Sequence, residues 1–202
     1  MKFPRVTHLL VFCKSKKAAT RTLTHILPYI EGKLFLKVNR EKTQVAYANK
    51  VKYLGYSFYI CKGEGRLRIH PKSVQKFKDK IREITGRSNG TGIEARKVRL
   101  NQVVRGWMNY FKLADAKKLI QGLDEWIRSR IRMGTWKQWK KVRTRFENLK
   151  RLGIKEERAW MWANTRKGYW RTAHSPILST AFSNQRFKQV GYLSLMECYS
   201  AK

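Results

Sequence analysis

The spacing of apolar positions changes partway along the chain. Residues 3–13 end in Val-Phe-Cys and predict a short strand. Ser15 then stands where a helix cap is expected, before Ala19, Leu23, Ile26, Leu27 and Ile30 at helical spacing, with Pro28 placed to kink or end that helix. Residues 34–38, 43–48 and 51–60 are further strand candidates. Lys62-Gly-Glu-Gly65 predicts a turn back into a strand at 66–69. From Pro71 onward the period is 3.6. Val74, Phe77, Ile81 and Ile84 mark one helix. A loop at 86–92 follows, with Thr91 and Glu94 at capping-box spacing. The next helix carries Leu100, Val103, Val104, Trp107, Tyr110, Phe111 and Ala114 inward, with Gly106 expected to admit a close helix neighbour. Asp115 is placed to cap a third helix, with Leu119, Leu123, Trp126, Ile127 and Ile131 inward. The expected fold is α+β, mainly α: a small antiparallel piece over 1–70, a three-helix bundle over 71–133, and a basic helical region over 134–202.

Charge changes that picture from a plain bundle to a polyanion binder. The 202 residues hold 46 Lys and Arg against 13 Asp and Glu, a formal net charge of +33. A disordered basic tail is excluded by 42% hydrophobic and 12% aromatic residues. So much like charge in a compact body repels itself, and phosphate backbones relieve the repulsion by counterion release. No run of 18 apolar residues exists, the first residues hold too short an apolar stretch for a signal peptide, and no membrane partner is expected. Cys13, Cys61 and Cys198 are scattered and odd in number, which fits free thiols in a reducing cytosol and predicts a cytoplasmic protein.

Residues 127–172 concentrate the charge, with fifteen Lys and Arg against Glu147, Glu156 and Glu157, and with five of the seven tryptophans. Trp136-Lys-Gln-Trp139-Lys-Lys141 interleaves flat rings with cations, as binding of phosphates and unpaired bases requires. A helix with Trp136, Trp139 and Val142 turned to the core would produce the same pattern. Any single tryptophan is expected to pack; the stretch as a whole is expected to bind nucleic acid. Arg105 and Asn109 lie off the apolar stripe of their helix and are candidates to face a partner. The loop 86–92, with Arg87 ahead of a helix start, could meet a phosphate, though a plain helix–helix turn is the expected reading. No histidine or cysteine spacing suits zinc, and no Walker or nucleophile-elbow motif is present. The adjacent carboxylates Asp124-Glu125 and Glu156-Glu157 diverge by about 100° on a helix and are expected to be solvated.

Several blocks, in order along almost the whole chain, resemble the C-terminal part of group II intron reverse transcriptase/maturases. Leu36-Lys-Val-Asn-Arg-Glu-Lys-Thr43 resembles the sixth reverse transcriptase block. Tyr53-Leu-Gly-Tyr-Ser-Phe58 resembles the seventh, at the end of the palm. Leu100 to Phe111, Asp124-Glu-Trp126 and Trp136-Lys-Gln-Trp-Lys140 resemble the maturase-specific (thumb, or X) domain. Arg166-Lys-Gly-Tyr-Trp-Arg171, Ser175-Pro176 and Ala181-Phe-Ser-Asn184 resemble the C-terminal region of bacterial members without an endonuclease. The resemblance implies a truncated, mobile-element-derived protein that grips structured intron RNA, helps it fold and splice, and can reach target DNA. Arg105, Asn109, Lys137, Lys140, Lys141, Arg143, Arg166, Lys167, Trp170 and Arg171 are the implied contacts.

It also implies a loss. The family's Tyr-Ala-Asp-Asp box falls on Arg5-Val-Thr-His8, so that Thr7 and His8 stand where the Mg²⁺-binding aspartates would be. No cofactor is therefore expected for this chain, Mg²⁺ belonging to the intact enzyme, and no DNA synthesis by the chain alone. The alternatives are a fragment active with a separate chain that supplies fingers and palm, a decayed remnant, and a general packaging protein.

Overall fold

The computed structural model describes residues 9–86 and 90–201. The fold is α+β and mainly α, with one three-stranded antiparallel sheet and ten α-helices among the described residues. The chain divides into two compact units, up to Ser73 and from Val74 onward.

In the first unit, α1 (Lys16–Pro28) starts as the sequence predicts: the Ser15 hydroxyl accepts the Ala18 N–H at 3.2 Å. Pro28 closes the α-helix, and Tyr29–Lys33 continue as a π-helical turn. The sheet orders β1 (Lys52–Tyr53), β2 (Tyr56–Cys61) and β3 (Glu64–Ile69) side by side. The strand expected over 51–60 is thus two strands. Tyr53 pairs with Tyr56 across Leu54-Gly55, both with positive φ (48° and 83°), a two-residue turn of the I′ kind. Lys62 and Gly63 repeat that geometry before β3, so Glu64 and Gly65 belong to the strand rather than the turn.

Two expected strands do not form, and the described part of a third is not in a sheet. Residues 9–13 have no ladder partner, while residues 3–8 lie outside the described residues. Residues 35–39 and 43–47 are irregular. Around the latter, local polar groups satisfy the backbone: the Asn39 side chain accepts the Lys42 N–H at 3.1 Å and the Thr43 hydroxyl donates to the Asn39 carbonyl at 2.8 Å. Of the described residues up to Ser73, only Ser57 and Ile69 are buried.

The second unit holds the core. It takes up most of α2 (Pro71–Ile84), then α3 (Ile93–Phe111) and α4 (Lys117–Gln138). Phe77, Ile81 and Ile84 of α2, Leu100, Val104, Met108 and Phe111 of α3, and Ile120, Leu123 and Ile127 of α4 are buried. Phe77 stacks on Trp107 at 4.3 Å. Several sequence expectations shift by one or two residues. Tyr110 and Leu119 are exposed while Met108 and Ile120 take the inward places, because the helices are rotated slightly from the assumed stripe. Gly92 and Ala116, not Thr91 and Asp115, occupy the cap positions, and neither gives a side-chain capping bond. Gly106 is exposed with open space at its Cβ position; the close approach is at buried Gly134, where a Cβ would stand 3.2 Å from Arg96 Nη1.

α4 runs on through residue 134, so Trp136 lies inside a helix, fully buried. It centres a second cluster with Leu149, Ala159, Ala163, Ile177, Leu178 and Ala181. This cluster joins α5 (Val142–Arg151), α6 (Glu156–Ala163), α7 (Tyr169–Ala173) and α8 (Pro176–Ala181). After α9 (Asn184–Gln189), α10 (Leu195–Ser200) returns to pack on α3 and α4. Among the described residues no helix is long and apolar enough to cross a membrane.

Candidate nucleic-acid interface

The cations of the second unit serve two different purposes. One set consists of arginines turned inward. Arg145 lies over the Trp136 ring at 4.8 Å and donates from Nε to the Trp139 carbonyl at 2.9 Å. Arg186 donates to the Leu152 carbonyl at 2.8 Å, and Arg130 to the Thr85 hydroxyl at 3.0 Å. Arg132 donates from Nη2 to the Phe182 carbonyl at 2.7 Å and stands over the Phe187 ring at 5.4 Å, but its Nε is buried without a hydrogen-bond partner. Burial, then the nearby Arg128, pulls the Arg132 pKa below its ordinary value. The planar five-donor guanidinium suits this work, since it ties carbonyls on separate helices together while keeping its charge.

Arg128 pairs with Asp124, and that carboxylate is the main site the sequence reading missed. Asp124 is buried rather than solvated. Its Oδ2 accepts the Ser194 hydroxyl at 2.9 Å and its Oδ1 the Leu195 N–H at 2.8 Å. It therefore holds the start of α10 against α4, beside the cap that Ser194 Oγ gives to Met196 and Glu197. The signal was present: Asp124 is four residues after Ile120 and three before Ile127, both inward positions of the same helix.

The second set of cations faces solvent, and the predicted contact residues fall almost entirely within it. Lys140 and Lys141 are exposed between α4 and α5; Arg143 is exposed and bonds Glu147 through Nε at 3.0 Å. Arg166 and Lys167 are exposed ahead of α7, and Trp170 and Arg171 are exposed on it. Lys137, near the end of α4, is half-buried. α7 packs on α4, which brings the 166–171 group onto the helix that carries Lys137. Arg105 and Asn109 form a separate exposed pair, one turn apart on α3. Arg105 lies beside α10: burial raises the Cys198 thiol pKa, and the Arg105 charge pulls against that rise.

Thr7, His8 and Arg87 lie outside the described residues. Among the described residues, no group of three or more His, Cys, Asp or Glu side chains is arranged to hold a metal ion.

Fold and surface together define a basic helical protein, with inward arginines tying its helices and outward cations forming charged faces. Residues 74–153 match the family model of the group II intron, maturase-specific domain, so this segment is similar to that domain. The matched segment contains the blocks at 100–111, 124–126 and 136–140. No curated protein matches the chain.

Proposed function

We infer that this protein binds structured group II intron RNA and assists its folding and splicing, the chemistry being the ribozyme's own. The supporting observation is the division of the cations. The arginines that tie the helices together are internal, whereas nine of the ten predicted contacts are exposed, where phosphates can reach them. Lys and Arg contacts to phosphate give affinity; selectivity for the intron then comes from the shape of the folded RNA. The decisive experiment is splicing of the neighbouring intron at low Mg²⁺, with and without the protein, joined to salt-titrated binding against unrelated structured RNA. Faster splicing and preferential binding are expected. Equal binding to both RNAs would leave only a packaging role.

On this reading the protein works in the cytoplasm as a splicing cofactor and can touch target DNA through the same cationic faces. With Thr7 and His8 in place of two acidic Mg²⁺ ligands, it does not synthesise DNA alone. Primer extension on an RNA template in Mg²⁺ checks this, and any extension by the purified chain refutes it.

A second reading has its own observation. The described residues up to Ser73 bury only two side chains and expose Leu9, Phe12, Phe35, Tyr47 and Ile60. A further polypeptide with apolar surface, such as one supplying fingers and palm, would complete that unit.

A further inference from the structure

The tryptophans of the second unit are not used alike. Trp136 is fully buried, Trp139 and Trp162 pack against the same cluster, and Trp107 stacks on Phe77. Trp126 has Lys78 and Arg82 within 6 Å of its ring centre, at 5.9 and 5.6 Å. Trp170 is 42% exposed with its ring edge-on to His174 at 4.3 Å, and Trp160 is the most exposed of the seven. It is 56% exposed, and its neighbour Met161 is 63% exposed.

The local sequence explains the inversion. α6 approaches the rest of the cluster through Ala159 and Ala163, both fully buried and one turn apart. Trp160 follows Ala159 and is rotated about 100° from that face, toward solvent. Large apolar groups are ordinarily placed inward and small ones tolerated outside, so the reversed arrangement needs a reason. Nor is the indole loose. It meets Phe146 of α5 edge-on, ring centres 5.3 Å apart and planes at 87°. An aromatic held in one orientation has already lost the rotamer freedom that binding would otherwise remove.

Lys150 is the cation that the geometry places beside the indole, with Nζ 5.3 Å from the centre of the Phe146 ring that Trp160 meets. Glu147 and Glu156 are already paired, with Arg143 and Lys150. Arg151 and Lys155 are exposed at the two ends of the turn between α5 and α6. Arg158 lies about 200° round the helix from Trp160, and exposed Glu157 shares the side of Trp160. Two apolar side chains are too little area for a stable protein interface, and a flat ring among Lys and Arg is the combination that holds unpaired nucleotides.

We propose that Trp160, flanked by Met161, is a stacking platform for an unpaired RNA base, with Lys150, Arg151 and Lys155 taking the adjoining phosphates. The proposal rests on the RNA-binding reading above and adds to it a specific requirement for a single-stranded nucleotide.

The test uses the full chain and two RNAs: a stem–loop with 2-aminopurine in its loop, and a blunt duplex of the same stem. Trp160→Ala should weaken stem–loop binding roughly five- to 150-fold, the range for removing one stacked aromatic, and leave duplex binding unchanged. Loop fluorescence should be quenched by the wild type and by Trp160→Phe. Trp160→Leu keeps apolar bulk without a π-face and should lose the quench, which covers the case of an alanine variant that does not fold. Lys155→Gln should weaken both RNAs alike. Unchanged stem–loop binding by Trp160→Ala, an equal loss on both RNAs, or an effect confined to self-association overturns the platform while leaving RNA binding intact. Wild-type protein that binds neither RNA overturns both readings.

Discussion

Asp124 shows how much can depend on one buried charge. Three donors converge on it: the Arg128 guanidinium, the Ser194 hydroxyl and the Leu195 N–H. Removing the carboxylate leaves Arg128 largely buried without its partner and α10 without its anchor. Asp124→Ala should lose roughly 3 kcal/mol or more in urea denaturation, and amide exchange at 195–200 should accelerate before the rest of the second unit responds. Tyr192 supplies the pH dependence. Burial raises its pKa, with Glu94 adding to the rise and Arg96 opposing it. The folded state therefore holds the phenolic proton more tightly than the unfolded one. That contribution is complete below about pH 10, the ordinary tyrosine value, and is lost as pH climbs through the raised one. Tyr192→Phe should flatten the alkaline limb of a stability–pH curve. Period-3.6 reasoning placed Phe77, Ile81, Leu100, Val104, Leu123 and Ile127 inward correctly. It misassigned Asp124 because charge was weighed ahead of position on the helix.

Among the elements, helices were more legible than strands, of which only the β2–β3 hairpin was read, for a physical reason. A helix closes its hydrogen bonds locally, so spacing and a cap such as Ser15 suffice. A strand exists only where a partner pairs with it; residues 35–39 and 43–47 have β-prone composition and no ladder. The β1–β2 hairpin escaped notice because leucine is an unusual choice for a left-handed position, and Leu54-Gly55 reads as the middle of a strand. Leu54 at φ 48° is strained where asparagine would not be. Leu54→Asn should slow amide exchange across β1 and β2, corresponding to roughly 1 kcal/mol of added stability. Unchanged or faster exchange would show that the turn does not limit the hairpin. The candidate interface was legible as a charged stretch, while its partition was not. Sequence gives no sign that Arg145 turns inward and Arg143 outward; that follows from where the Trp136 cluster lies.

For the molecule as a whole, the two units differ in how they can be stable. The second has two apolar clusters and helices tied by inward arginines; the first buries only Ser57 and Ile69 among its described residues. Chain entropy alone opposes folding by about 1–2 kcal/mol per residue, which so little burial cannot offset. Hydrogen exchange should therefore be fast across 9–70 and slow across the buried positions of 93–138. Slow exchange in both would mean that the first unit is stable without further apolar cover. The boundary at Ser73 matches a change that the sequence displays, from period 2 to period 3.6. The position of α10 was not displayed, because contacts across some seventy residues leave no local trace.

The bonds from Asp124 to Ser194 and Leu195 have a practical corollary for anyone trimming the gene. The recognisable family segment stops at residue 153, yet the ends of its helices are closed by side chains supplied as late as Tyr199, whose hydroxyl donates to the Ala114 carbonyl at 3.1 Å. A clone cut at the family boundary would expose the flank of α4 and strand a carboxylate in it. The smallest piece worth expressing reaches past residue 200.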